Sequence, residues 1–166
     1  MKILIPVDAS QVALAPIDHL ASLASRGIEV EALVLNVQPY FSRYIARFTN
    51  KADRDSLRAE RSSAAMAAAI EHLAQVGVPF RAMTELGMPA ERIAAVAERE
   101  EVDEVMIGVG RHPAWLRWVN PSIAHGVMDL TDIPVTVFSR GRAGTLERYA
   151  LPVGLAGLAA LFYAVE

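Results

Sequence analysis

Five short apolar runs, rich in β-branched residues, alternate with stretches whose apolar residues recur at helical spacing, and this alternation most narrows the folds open to the chain. The runs are residues 2–7, 29–37, 80–86, 105–107 and 134–138. Runs without polar alternation, such as Ile3-Leu4-Ile5 and Leu33-Val34-Leu35, suit strands buried on both faces of a parallel sheet. Between them, Ser10 is placed to cap a helix carrying Val12, Leu14, Ile17, Leu20 and Leu23, which Gly27 stops. Residues 53–75 read as an Ala-rich helix ended by Gly77, and Pro89 opens a helix with Ile93, Val96 and Ala97 on one face. Asn120-Pro121 pairs an N-cap residue with proline at the first helical position, and that helix runs to about Leu130. Residues 38–50 hold Pro39, Tyr40, Phe41, Tyr44 and Phe48 without a sustained period and read as a loop long enough to form a flap. Five strands separated by four helices predict an α/β chain with a parallel sheet, with function at the carboxyl ends of the strands. Asp8, Val37 and residues 108–111 fall at such ends.

Composition removes several function classes. A chain of 166 residues buries one ordinary core. It has no Cys, so thiolate nucleophiles, Cys-based zinc sites and iron–sulfur clusters are out, and its four His are too scattered to be metal ligands. A net charge of −3 gives no positive field to hold nucleic acid. The amino terminus is apolar for only about five residues before Pro6 and Asp8, too few for a secretory segment, so the expected location is the cytoplasm. The first strand-to-helix turn, Val7-Asp8-Ala9-Ser10, lacks the glycines of a dinucleotide fingerprint. No G-x-S-x-G, H-E-x-x-H or Walker A motif occurs, and no catalytic set is expected.

An ordered set of motifs says more: Ile3-Leu4-Ile5-Pro6-Val7-Asp8-Ala9-Ser10, Leu35-Asn36-Val37, Gly87-Met88-Pro89-Ala90-Glu91-Arg92-Ile93, Val102-Asp103-Glu104-Val105-Met106-Ile107-Gly108 and Asp132-Ile133-Pro134-Val135-Thr136-Val137. Together they make residues 1–139 resemble the universal stress protein family. The resemblance implies a Rossmann-like, adenine nucleotide alpha hydrolase-like domain: a five-stranded parallel sheet of order 3-2-1-4-5 with helices on both faces. It also implies a homodimer formed through the last strand, Val135 to Phe138. Members that bind ATP carry G-x-x-G, nine residues, then G followed by Ser or Thr. Laid on Gly108, that pattern asks for glycine at Arg111 and Pro121 and keeps Ser122. Glycines there let backbone N–H groups wrap phosphates closely. Arg111 carries a side chain into that approach and Pro121 has no N–H to offer. The departure resembles the branch typified by universal stress protein A, which implies a regulatory protein of the stress response that is not an enzyme and does not bind ATP.

The alternative is an ATP or AMP sensor. The resemblance places Val7, Asp8 and Val37 on the base and ribose side and Gly108, Gly110, Arg111 and Ser122 on the phosphate side. Ser122 falls in the first turn of a helix, whose free N–H groups favour an anion, and Arg111, His112 and Arg117 supply positive charge. Plainer readings stand beside these. Asp8 suits a turn or helix cap equally well. The helical His19, His72 and His125 fit surface or half-buried positions, and Trp115 and Trp118 fit loop packing. Six basic residues between 43 and 61, against three acidic ones, read as a solvated helix face.

Residues 140–166 fall outside the domain as a linker and an apolar tail. Residues 150–165 are sixteen without a charge, just under the usual spanning length, with Leu151, Leu155, Leu158, Phe162 and Val165 in one stripe. Three uses compete: docking on the dimer partner or the chain's own sheet, peripheral attachment to the inner face of the membrane as an adaptor, and higher association. The linker arginines, Arg140 and Arg142, suit anionic headgroups.

Overall fold

The expected alternation is realised in a computed structural model, which describes residues 1–8, 14–40, 50–109 and 123–139. Among them the chain forms β1 (Lys2–Pro6), α1 (Ala15–Ser25), β2 (Glu31–Gln38), α2 (Lys51–Gln75), β3 (Phe80–Leu86), α3 (Pro89–Arg99), β4 (Glu104–Val109), α4 (Ile123–Met128) and β5 (Val135–Ser139). The strands make one sheet of order β3-β2-β1-β4-β5, and every pairing is parallel. The anticipated sheet order is therefore the observed one.

Strand side chains alternate in direction, so each apolar run supplies two cores. Ile3, Ile5, Val7, Ala32, Val34 and Met106 point to one side and are covered by Ile17 and Leu20 of α1 and by Met66, Ala69 and Leu73 of α2. Leu4, Leu33, Leu35, Val105 and Ile107 point to the other, under Ile93, Val96 and Ala97 of α3 and Ala124 and Val127 of α4. The result is three layers, helices over both faces of the sheet. At the sheet margins β3 is largely exposed along its first half, as its weaker apolar pattern predicts, and β5 leaves Val137 42% exposed.

Two helix starts differ from expectation. The helix read from Asp53 begins at Lys51, because the Asn50 side chain accepts the Asp53 N–H at 2.8 Å and caps the first turn. Leu14 precedes α1 without a side-chain cap, and Pro16 sits in its first turn. α1 and α2 stop where expected, each followed by glycine in the left-handed region, Gly27 at φ +80° and Gly77 at φ +70°. The cap at Ser10, the aromatic loop 41–49, the helix start at Asn120-Pro121, His112, Trp115, Trp118 and the linker and tail 140–166 lie outside the described residues. Among the described residues no helix is long and apolar enough to cross a membrane.

An ionic cluster ties the start of β1 to the end of α3. Lys2 donates its backbone N–H to Asp103 and its Nζ to the Glu100 carbonyl, both at 2.6 Å. The Glu100 carboxylate receives Arg81, Lys2 and Arg99, while Arg99 also bonds Glu85 at 2.8 Å. The hydrogen bond from Arg81 is the main reason the Glu100 carboxyl is held below its ordinary range.

Candidate functional site

The chain runs outward from β1 to β2 and β3, then crosses back to β4 and β5 on the other side of β1. The winding therefore reverses between β1 and β4, and in open α/β sheets ligands bind at the carboxyl ends of the strands at such a point. Parallel register decides which residues meet there. Pro6 pairs with Leu35, and two residues further that offset sets Asp8 beside Val37. Leu4 pairs with Val105, the last β1–β4 pair, and the same offset carried three residues further would set Val7 level with Gly108. Val7, Asp8, Val37 and Gly108 thus stand in one row across β2, β1 and β4, two strand spacings wide, or about 10 Å.

The row is held rigidly at its centre. The Val7 N–H donates to the Leu35 carbonyl at 2.8 Å, carrying the β1–β2 ladder one residue past the strand end. The Asn36 amide, 3% exposed, donates Nδ2 to the Val7 carbonyl at 2.8 Å and accepts Gln38 Nε2 on its Oδ1 at 2.6 Å. A buried carbonyl at the end of a strand, which would otherwise lack a partner, is thereby satisfied. Beyond it the exposed Asp8 projects from a fixed backbone. Thr84, paired in register with Asn36, bonds the buried Ser62 hydroxyl of α2 at 2.5 Å, so this level of the sheet is polar on the α1/α2 side. Asn36, which motif reading included only within Leu35-Asn36-Val37 and gave no role of its own, is the residue that anchors this row. Its signal is visible: it is the one polar side chain in the run Leu33-Val34-Leu35-Asn36-Val37.

One strand further out, the Gly87 N–H donates to the Gln38 carbonyl at 3.0 Å and joins the β3–α3 turn to the end of β2. Gly87 has φ +144°, and a Cβ there would lie 2.9 Å from Arg92 Nε. The Arg92 side chain therefore lies directly under this turn.

Of the expected site residues, Val7, Asp8, Val37 and Gly108 are brought together, and Gly110, Arg111 and Ser122 lie outside the described residues. The row suits the nucleoside part of a nucleotide. Val37 offers apolar surface, Asp8 a carboxylate able to accept two hydroxyl protons, and Gly108 a strand end with no Cβ to keep a ligand away. Among the described residues no group of three His, Asp or Glu is placed to hold a metal ion.

The universal stress protein family matches residues 1–139. Solved structures agree on the fold. A hypothetical protein whose biochemical function was assigned from its structure is 24% identical, with 86% of this chain and 97% of that one covered and a TM-score of 0.67. A universal stress protein family protein from Arabidopsis thaliana with AMP bound is 17% identical, covering 86% and 93%, with a TM-score of 0.62. The universal stress protein from Archaeoglobus fulgidus in complex with dAMP is 19% identical, covering 82% and 96%, with a TM-score of 0.58. No curated protein matches the sequence.

Proposed function

The chain belongs to the universal stress protein family, and from that premise we propose that it is a non-catalytic regulatory protein of the stress response that binds an adenosine monophosphate and not ATP. The observation that carries this reading is the row of Val7, Asp8, Val37 and Gly108 at the point where the winding reverses. Val37 would lie against the base, Asp8 would take the ribose hydroxyls, and the backbone at Gly108 and Gly110 would approach the first phosphate. Arg111 and Ser122 would hold that phosphate with a charge and a hydroxyl. The longer polyphosphate is disfavoured because Arg111 and Pro121 replace two glycines of the loop that would wrap it. Relatives of the same fold with AMP and dAMP bound make a monophosphate the natural candidate.

A homodimer through β5 belongs to the same proposal, since that strand is the sheet margin next to β4 and exposes Val137. The deciding experiment is mass spectrometry of nucleotide carried through purification, followed by isothermal titration with AMP and ATP. Micromolar heats with AMP and at least tenfold weaker binding of ATP are expected. No carried nucleotide and no heat with either ligand would overturn the nucleotide reading.

A further inference from the structure

Arg92 breaks two rules of its surroundings at once. It is the fourth residue of α3, where the positive end of the helix dipole opposes a cation. Its Nε is also buried without a hydrogen-bond acceptor. Leaving a charged donor unmet in the interior is costly, and folded chains keep such groups only where something else holds them. Its neighbours on this side of the sheet behave differently: Lys2, Arg81 and Arg99 all reach Glu100, and Arg99 also reaches Glu85. Arg92 enters none of the ion pairs among the described residues.

The turn above it is built around this side chain. A Cβ on Gly87 would lie 2.9 Å from Nε, 3.0 Å from Cγ and 3.2 Å from Cδ, so only glycine lets the stem pass so close to the backbone. The Gly87 N–H bond to the Gln38 carbonyl then fixes turn and side chain one residue beyond Val37. The exposed Tyr40 and Met88 flank that bond in sequence and add apolar surface beside it. In the order β3-β2-β1-β4, this is the flank away from Gly108, the end opposite the phosphates.

Building on the nucleotide reading above, we propose that Arg92 is a specificity-determining residue that donates to an acceptor on the edge of the bound base. A planar guanidinium suits this task, because its N–H groups are fixed in direction and its face stacks on aromatic rings. A neutral base edge also explains why no carboxylate is needed to offset the cation.

The test compares AMP with ribose 5-phosphate, which keeps sugar and phosphate and lacks the base, on the full chain. AMP is titrated calorimetrically and ribose 5-phosphate is followed by ligand-observed NMR, which reads millimolar binding. Arg92→Met keeps the unbranched stem under Gly87 and removes the donors. It is expected to weaken AMP about tenfold or more while leaving ribose 5-phosphate unchanged. Arg92→Lys, which restores charge but not the planar pair of terminal N–H donors, is expected to resemble the Met variant. Unchanged AMP binding in Arg92→Met, equal weakening of both ligands, or full recovery by Lys would each overturn the assignment to the base edge. A wild-type chain that takes neither ligand would instead overturn the nucleotide reading beneath it.

Discussion

At Asn36 a single side chain does what a strand end cannot do alone. β1 runs out at Pro6, yet the position of Asp8 matters, so the backbone between them must be anchored by something other than the ladder. The buried amide does this by donating to the Val7 carbonyl, and Gln38 holds the amide in turn. Asn36→Leu keeps comparable volume but leaves the Val7 carbonyl and the Gln38 amide unmet. It should cost about 1–3 kcal/mol in urea unfolding and weaken AMP binding as Asp8 loses its fixed place. A denaturation midpoint unchanged from wild type would show that the anchor lies elsewhere. Glu100 makes a second, pH-dependent case. Its carboxyl is held below the ordinary value of 4.5, mainly by the Arg81 hydrogen bond. The folded state therefore binds the proton less readily than the unfolded one. The stabilisation is complete above that ordinary value and is lost as pH falls through the lower folded value. Because its partners Arg81 and Arg99 are half exposed the effect is small, and Glu100→Gln should lower the thermal midpoint by about 2 °C or less at pH 7. The difference between variant and wild type should narrow as pH falls below the ordinary value of 4.5 and close once pH passes the lower folded value. A gap that persists or widens in acid would contradict this account.

Among the elements, α3 and α4 fit closely. A Cβ on Gly126 would lie 2.9 Å from the Ala90 Cβ, well inside normal contact, so the two helices approach through glycine. Gly126→Ala gains about 1 kcal/mol of helix propensity but overpacks the crossing at a cost of about 1–3 kcal/mol. A net loss of about 1 kcal/mol is expected, and adding Ala90→Gly should recover part of it. A more stable single variant would mean that the helices can part freely. The elements themselves were legible in the sequence because buried strands and amphipathic helices each impose a period on the residues they use. Boundaries were less so. Asn50 caps α2 from the end of an aperiodic stretch, where no pattern marks a capping residue. The site was legible in part for a similar reason. Asp8, Val37 and Gly108 announce themselves as strand ends, whereas the partner of Asn36 depends on register between distant residues. Val7 and Asn36 are 29 residues apart, and no local signal records that they meet.

For the whole molecule, the sheet has a covered centre and, among the described residues, two margins, β3 and β5. In the β4–β5 ladder the Val105 N–H donates to the Pro134 carbonyl, and parallel pairing alternates from there. The backbone groups of Val135 and Val137 consequently point away from β4, and Val137 also exposes 42% of its surface. A short strand whose outward backbone groups meet no other strand among the described residues, with an exposed β-branched side chain, invites another strand, and natural margins discourage this with charge. Between residues 134 and 139 there is no charge at all, so nothing in β5 opposes pairing with a second copy. Sedimentation of the full chain at micromolar concentration should give a dimer. Val137→Lys should shift it to monomer without changing the circular dichroism spectrum, because the residue sits at the margin and not in either core. AMP binding should survive that shift, since every residue assigned to the site comes from one copy. A wild-type monomer at high concentration would remove β5 as an interface, and a monomeric variant that loses AMP would mean that the second copy completes the site.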